Sequence, residues 1–273
     1  MFDLLVFTQY PRAYAPKRFN SEALLQGLTL QLFDYDKVDV NKLPNAKAVI
    51  LREPNHSSKL YDLRDRILKH YFRRKSYVLN QRSYFKWSIL DKITQHKEFK
   101  KAGIPHIPLL EMSEVEYPFI AKNKLGSHGD SVYKIECKED LDNVLIKHRK
   151  ADLLFQEFQT SGFDLRVIVL GGRVLGIMKR TPKEGEFLSN YSQGGEIEKY
   201  NGDDSAEIEK ISIQAAKHFK LDYVGVDLMK GNDGEWKVLE VNRACQFKGF
   251  EKATGVNVAK NVIGALQGLT LQS

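Results

Sequence analysis

The sequence of 273 residues has little cysteine and no long hydrophobic run. Its two cysteines, Cys137 and Cys245, lie far apart and lack metal-ligand spacing, which argues against a disulfide framework and a structural zinc site. No stretch approaches the ~20 apolar residues that a membrane-spanning helix needs. The N-terminal run MFDLLVFTQYPR has no basic region ahead of its short apolar core, unlike a signal peptide. We therefore expect a cytoplasmic protein without a membrane partner.

Positive charge is in excess, but it is not concentrated. The formal net charge is +7, and FRRK at residues 72–75 is the only compact basic cluster. This balance favours acidic partners. The sequence lacks the aromatic and glycine signatures of the common RNA-binding folds, so an RNA-binding module would rest on net charge alone. Nucleic acid is therefore not the expected partner.

The chain has no internal repeat or low-complexity tract, and short apolar runs alternate with helical patterns. This alternation predicts an α+β architecture with two or three lobes. Buried strands at 2–7, 30–36 and 46–51 predict a small α/β lobe with an open sheet. A helix with a capping-type start at Ser88 and a stop at Gly103 would link this lobe to the rest of the chain.

A second lobe begins with EYPFIAKNKLGSHGDSVYKI, residues 116–135. Its alternation places Lys122 on a strand that should be at least half buried. The loop GSHG at residues 126–129 then offers backbone amides that can approach an anion closely. Two interpretations remain open, because the segment matches no standard phosphate-binding motif. It is either a triphosphate cradle or a hairpin loop beside an exposed lysine.

The segments DLRVIVL and RVLGIMKR flank Gly171 and Gly172, a dipeptide suited to a tight primed hairpin turn. Period-two alternation places Asp164 and Arg166 on one face, and Arg180 closes the returning strand. These charges are typical of a solvated sheet face, and a ligand site is the alternative.

A second hairpin is predicted from YVGVDLMK and EWKVLEVN, which residues 231–234 separate. Asp227 should lie roughly opposite Glu240, and Asn242 shares the face of Glu240. Two carboxylates and an amide oxygen are hard ligands of the kind that magnesium prefers. The alternative is a charged pair facing solvent, but both strands are otherwise apolar. The pattern therefore favours a metal site.

From about Lys92 to Ile263 the chain resembles the ATP-grasp superfamily. Within it, the chain is similar to the RimK-like branch, ligases related to those that add glutamate to a ribosomal protein's C-terminus. The resemblance rests on QEF, DLRV, KEGEFLSN, the glycine pair 194–195, VGVDL, LEVN and GFEKATGVNVA, in the family's order. It implies an ATP-grasp fold preceded by an α/β pre-ATP-grasp lobe.

The implied domain limits are 1–82 for the N-terminal lobe, 83–160 for the linking helix and small lid subdomain, and 161–273 for the C-terminal subdomain with the metal site. The implied nucleotide contacts are Lys92, Lys122, Gly126, Ser127, Gly129, Gln156, Glu157, Phe158, Asp164, Ser189 and Asn190.

Within the nucleotide set, the resemblance assigns residues 156–158 to the adenine hinge and Asp164 to the ribose. It implies that Arg180 and Asn190 face the reacting phosphate and carboxylate. The implied magnesium ligands are Asp227, Glu240 and Asn242, with Mn²⁺ as a substitute for Mg²⁺.

The resemblance implies an ATP-dependent ligase. ATP would phosphorylate a carboxylate, and an amine would attack the acylphosphate to form an amide. The expected substrates are glutamate or a similar amino acid and a carboxylate acceptor, either a small molecule or a protein C-terminus. The family also suggests a homo-oligomer. A nucleotide-binding protein of the same fold without ligase activity is the alternative.

The chain departs from the family after EVN, where proline and glycine usually follow but residues 243–246 read RACQ. Arginine presents a planar fork suited to carboxylates. Arg243 is therefore a candidate catalytic residue that would grip a substrate carboxylate, with Arg166, Arg180 and Lys248 as further cations of the rim. The alternative is that Arg243 pairs with a neighbouring acid such as Glu251.

Overall fold

The computed structural model describes residues 1–52, 57–124, 132–184 and 195–270. Within these ranges the chain forms three β-sheets with helices packed against them, which confirms the predicted α+β class. No helix in the described ranges is long and apolar enough to cross a membrane.

The N-terminal lobe contains a four-stranded parallel sheet in the order β2-β1-β3-β4. Its strands are β1 (Phe2–Thr8), β2 (Leu30–Asp34), β3 (Ala46–Leu51) and β4 (Tyr77–Val78). Its helices are α1 (Tyr14–Leu25), α2 (Ser58–Arg73) and α3 (Gln81–Lys86). The central strands β1 and β3 are almost continuously apolar because helices cover both faces of the sheet. The carboxyl ends of β1 and β3 lie at one edge of the lobe.

Helix α4 (Lys92–Ala102) follows the N-terminal lobe and ends at Gly103, which adopts the left-handed conformation with φ 62°. The expected start at Ser88 is wrong. Asp91 is the N-cap, and its carboxylate accepts a 2.7 Å hydrogen bond from the backbone N–H of Thr94. Ser88 does not cap the helix because its hydroxyl instead donates to Asp65.

A small antiparallel sheet follows, in the order β6-β5-β7. Its elements are β5 (Phe119–Asn123), β6 (Val132–Ile135), α5 (Lys138–Lys147) and β7 (Leu153–Glu157). One face of the sheet packs on α5 around Phe119, Ile135 and Val144. The other face carries Lys122.

The large sheet has five strands in the order β10-β9-β8-β11-β12. Its strands are β8 (Asp164–Leu170), β9 (Arg173–Thr181), β10 (Glu196–Lys199), β11 (Tyr223–Lys230) and β12 (Trp236–Asn242). The helices of this part are α6 (Ser205–His218), α7 (Lys248–Thr254) and α8 (Val258–Thr270). Gly171 and Gly172 join β8 to β9 with φ 57° and 76°, the positive values that a primed hairpin turn requires.

The two ends of the chain share one core. Helix α8 packs against α1, β3 and β4 of the N-terminal lobe. The buried side chains of this core include Phe19 and Phe247, whose ring centroids lie 5.4 Å apart. The three sheets follow the order of the expected domains, but α8 belongs in space to the first lobe. The limits 1–82, 83–160 and 161–273 therefore remain a proposal.

Candidate functional site

The two carboxylates and the amide predicted from the second hairpin lie together in the structure. Asp227 of β11 is the register partner of Glu240 on β12. The Asn242 amide nitrogen donates to Glu240 Oε1 at 2.9 Å and to Asp227 Oδ2 at 3.4 Å. The three groups thus form one polar cluster on a face of the large sheet.

A β-bulge aims Glu240 at this cluster. Simple alternation would place Glu240 on the same face as Val238, which is fully buried in the core. The pairing shifts after Asp227, so that Leu228 lies opposite Val238 and Leu239 is the extra residue. Val238 and Val241 consequently both pack in the core, while Glu240 and Asn242 face the site.

Asp227 is held by two arginines. It is 4% exposed, and Arg166 donates to it through Nε at 2.8 Å and through Nη2 at 2.6 Å. Arg180 Nη2 lies 3.3 Å from Asp227 Oδ2. Burial by itself raises the pKa of Asp227, but the two guanidinium groups outweigh it and lower the pKa to about 2. The carboxylate is therefore ionised at neutral pH.

Arg180 extends this network across the hairpin of β8 and β9. It is the register partner of Asp164, and its Nε donates to Asp164 Oδ1. Arg180 is 5% exposed. The expected solvated sheet face is therefore wrong, because Arg180 is buried, Asp164 and Arg166 are only partly exposed, and all three charges are paired.

Two lysines approach the cluster from other elements. Lys122 on β5 is partly buried, and Lys92 is the first residue of α4. Burial lowers the pKa of Lys122 to about 8, Glu240 and Asp164 oppose the decrease, and Lys92 adds to it. The Lys122 ammonium is therefore within electrostatic reach of the large sheet, so it is not an isolated surface lysine.

The expected adenine hinge joins the small sheet to the large one. The buried Gln156 amide donates to the Ile107 carbonyl at 2.8 Å, so this side chain is engaged in the core. The Asn232 amide nitrogen lies 3.0 Å from both the Glu157 carboxylate and the Phe158 carbonyl. Asn232 belongs to the turn between β11 and β12, so the expected hinge is tied to the hairpin that carries Asp227 and Glu240.

The structure gives Arg243 buried backbone partners. This side chain is 5% exposed, and its Nη1 and Nη2 donate to the carbonyls of Trp87 and Ser88 at 2.6 and 2.9 Å. Its guanidinium carbon also lies 4.3 Å from the ring centroid of Tyr84. Both nitrogens bind the chain ahead of α4, and the expected carboxylate contact of Arg243 stays a prediction. The alternative partner Glu251 accepts from Tyr14 and Arg18 instead.

Arg52 is a residue near the site that the sequence analysis did not identify. It directly follows β3 and is 6% exposed, and its Nη1 donates to the Cys245 carbonyl at 3.2 Å. Arg166 Nη1 reaches the next carbonyl, that of Gln246, at 3.4 Å. The available signal was an arginine directly after a buried parallel strand, because ligands bind outside the carboxyl ends of such strands.

Five expected nucleotide or catalytic residues lie outside the described ranges. They are Gly126, Ser127, Gly129, Ser189 and Asn190.

The donor set of the cluster fits magnesium. Asp227 and Glu240 supply carboxylate oxygens, and a half-turn of the Asn242 amide would present its oxygen to the same space. In the described part of the chain, no three or more His, Cys, Asp or Glu side chains form a metal-binding group. A metal site here therefore depends on Asn242 as the third oxygen donor.

Comparison with known proteins identifies the family. The family model described as RimK-like ATP-grasp domain matches residues 93–266. A probable alpha-L-glutamate ligase of Haemophilus influenzae is 29% identical, with 97% of each chain aligned. Beta-citrylglutamate synthase B of Danio rerio is 35% identical over 55% of this chain and 37% of its own length.

Among solved structures, the ATP-grasp ligase PsnB in complex with a phosphomimetic variant of its minimal precursor, Mg and ADP has a TM-score of 0.77. It is 22% identical, and the similarity covers 99% of this chain and 100% of PsnB. The macrocyclase MdnC of Microcystis aeruginosa has a TM-score of 0.71 at 17% identity, over 97% and 99% of the two chains. These two likenesses show the fold. The family match over residues 93–266, more than half of the chain, shows that this chain belongs to the RimK-like ATP-grasp family.

Proposed function

We propose that this protein is an ATP-dependent carboxylate–amine ligase that adds glutamate or a similar amino acid to a carboxylate acceptor. The observation that carries the proposal is the convergence of Asp227, Glu240 and Asn242 with Arg180 and the Lys122 ammonium. The names of the relatives support the glutamate substrate, and the PsnB complex with Mg and ADP supports the cofactors.

Asp227, Glu240 and Asn242 would hold Mg²⁺, or Mn²⁺ in its place. The metal would neutralise charge on the phosphate oxygens during phosphoryl transfer. Arg166 and Arg180 keep Asp227 ionised and fix its orientation. With a pKa of about 2, the Asp227 carboxylate is already ionised at neutral pH, so no proton has to leave when it binds a cation.

The nucleotide would lie between the small sheet and the large sheet. Lys92 and Lys122 would contact its phosphates. Because the Gln156 amide is engaged with Ile107, adenine would be recognised by backbone groups of the hinge. The hinge around Glu157 and Phe158 would be oriented by Asn232, and Asp164 would face the ribose. Gly126, Ser127, Gly129, Ser189 and Asn190 keep their expected roles as part of this proposal.

The reaction would proceed in two displacements. A carboxylate oxygen of the acceptor attacks the γ-phosphorus of ATP, and the bond from that phosphorus to the ADP oxygen breaks. The amine of the second substrate then attacks the acyl carbon, inorganic phosphate leaves, and the amine loses a proton. Arg180 would stabilise the negative charge that develops on the oxygens in both steps. The protein's main contributions are positioning and charge neutralisation.

The direct test is ADP release by the purified protein with magnesium, ATP and a panel of carboxylates and amines. We expect release that requires one carboxylate and one amine together, with an amide product of matching mass. Glu240→Gln should lower turnover about 100-fold or more, because it removes a metal ligand without opening a core cavity. Its melting curve serves as the control for folding.

The same assay separates the ligase from the alternative. A nucleotide-binding protein of this fold without ligase activity would bind ATP but release no ADP with any carboxylate and amine pair. Ligase turnover in Glu240→Gln at the wild-type rate in limiting magnesium would instead refute the metal assignment.

A further inference from the structure

Arg52 lies where the N-terminal lobe meets the metal-binding hairpin. It follows β3 at the carboxyl end of a parallel strand, and its Nη1 binds the Cys245 carbonyl, three residues beyond Asn242. A Cβ atom added at Gly225, the register partner of Asn242, would lie 2.7 Å from Cys245 Cβ. Cys245 therefore rests directly on the hairpin, and Arg52 reaches the edge of the site.

Most of the donor capacity of Arg52 is unused. A guanidinium carries five N–H groups, and within the described residues its single hydrogen bond is the one to Cys245 at 3.2 Å. None of its nitrogens is among the enclosed, unpartnered polar atoms of the described chain. The remaining donors of this largely buried side chain therefore border accessible space.

The surroundings of Arg52 favour an anion. Burial raises the pKa of the Cys245 thiol, and Arg166 and Arg52 both oppose that increase. Both arginines also bind consecutive carbonyls, those of Cys245 and Gln246. Arg166 uses two of its five N–H groups on Asp227 and one on Gln246, whereas Arg52 uses only one of its five within the described residues, so Arg52 has more donors left for a ligand.

We propose that Arg52 binds a carboxylate of the amino-acid substrate, one that the ligation leaves unreacted. This inference rests on the ligase function proposed above. The planar fork of a guanidinium matches a carboxylate in bidentate geometry. The phosphates of ATP are the less suitable ligand, because Lys92 and Lys122 approach the hairpin from α4 and β5, whereas Arg52 approaches from the other lobe. Arg52 thus takes over the role that the sequence assigned to Arg243.

The test is calorimetric binding of L-glutamate to the protein with magnesium and a non-hydrolysable ATP analogue. We expect Arg52→Gln to weaken glutamate binding about tenfold or more, because charge-assisted hydrogen bonds are lost. Affinity for the ATP analogue should stay unchanged. Arg52→Lys keeps a donor for the Cys245 carbonyl but lacks the fork, so it should also weaken glutamate binding while remaining folded.

Arg82→Gln is the matched control. Arg82 also reaches across from the N-terminal lobe, to Asp222, but its side chain is exposed and away from the cluster. The Arg82→Gln variant should bind glutamate with the same affinity as the wild type. L-Glutamine lacks the side-chain carboxylate of glutamate, and the α-amide lacks the α-carboxylate, so the two analogues identify the carboxylate that Arg52 binds. The analogue without that carboxylate should bind weakly to the wild type. Arg52→Gln should not weaken its binding further.

Three results would overturn the inference. The first is an equal affinity for glutamate in the wild type and in Arg52→Gln. The second is a wild type that binds the ATP analogue but not glutamate. The third is an Arg52→Gln variant whose affinities for glutamate and for the ATP analogue fall by the same factor. A different result would refute the ligase proposal while leaving the role of Arg52 intact. In that case glutamate binding depends on Arg52, but no carboxylate and amine pair supports ADP release.

Discussion

At the scale of single residues, the protonation state of Lys122 would affect the proposed nucleotide binding. Its ammonium is partly withdrawn from water, which favours the neutral form and lowers the pKa from 10.5 to about 8. The cation is present below that pH and is lost as pH rises through about 8. An ordinary surface lysine would stay charged to about pH 10.

We therefore predict that ATP binding weakens as pH rises above about 8. Binding would be measured by calorimetry in EDTA, from about pH 7 to about pH 9.5, so that metal binding does not contribute. Lys122→Met should bind ATP about tenfold more weakly at pH 7 and lose the pH dependence. A wild-type affinity that is flat over this range, or an unchanged affinity in Lys122→Met, would contradict the phosphate contact.

The prediction for Arg243 concerns stability rather than ligand binding. Its removal leaves the Trp87 carbonyl without its side-chain donor and the Ser88 carbonyl with Arg64 alone, so Arg243→Ala should lower the free energy of unfolding by about 3 kcal/mol. Urea unfolding measures this loss. Glutamate affinity of the folded variant should remain close to that of the wild type. A stable variant with a selectively weakened glutamate affinity would restore the substrate role of Arg243.

At the scale of elements, the hairpin of β11 and β12 depends on a glycine. Gly225 lies under Cys245, and an added Cβ would also come within 3.1 Å of the thiol sulfur. We predict that Gly225→Ala destabilises the protein by about 1 to 3 kcal/mol, because the backbone of residues 243–246 must move. Melting curves measure the change.

Gly264→Ala in α8 is the control for Gly225→Ala. Among the residues that the structure describes, an added Cβ would meet only Gln26 Oε1, at 3.7 Å, and alanine favours a helix over glycine. We expect unchanged or higher stability. Equal effects of the two substitutions would show that the contact between Gly225 and Cys245 is unimportant.

The elements also show what sequence can predict. The turn at Gly171 and Gly172 and the pairing of Asp227 with Glu240 follow from local rules, namely strand alternation and turn residues. The bulge at Leu239 has no such signal, since it depends on how Val238 and Val241 pack in the core.

The partners of the arginines depend on the tertiary fold. Arg52 and Cys245 lie 193 residues apart in sequence, and Arg243 and Trp87 lie 156 apart. Strand alternation and turn residues describe neighbours in sequence, so they carry no information on which distant carbonyl a long side chain reaches. The sequence could therefore propose Arg243 as a cation of the site, but it could not show the backbone partners of Arg243 or the position of Arg52.

At the scale of the whole molecule, the C-terminal helices complete the N-terminal lobe. Phe247 is fully buried between Tyr14 and Phe19 of α1, with ring centroids 5.8 and 5.4 Å away. The Glu251 carboxylate adds contacts to Tyr14 and Arg18. We infer that the two lobes unfold together.

Phe247→Ala should therefore destabilise the protein by about 3 to 5 kcal/mol. It should also increase hydrogen exchange of the α1 amides, although α1 lies more than 200 residues earlier in the chain. Phe247→Leu, which retains most of the buried volume, is the control and should have a smaller effect. Unchanged protection of α1 in Phe247→Ala would show that the N-terminal lobe is stable on its own.

The transfer of oxygen from the acceptor carboxylate to phosphate tests the proposed ligase reaction most directly. An acceptor labelled with ¹⁸O in its carboxylate would be incubated with the protein, ATP, magnesium and an amine, and the released phosphate analysed by mass spectrometry. We expect one ¹⁸O atom in each released phosphate, one amide formed per phosphate, and loss of both products in Glu240→Gln. Phosphate that takes its new oxygen from water would contradict the proposed acylphosphate mechanism.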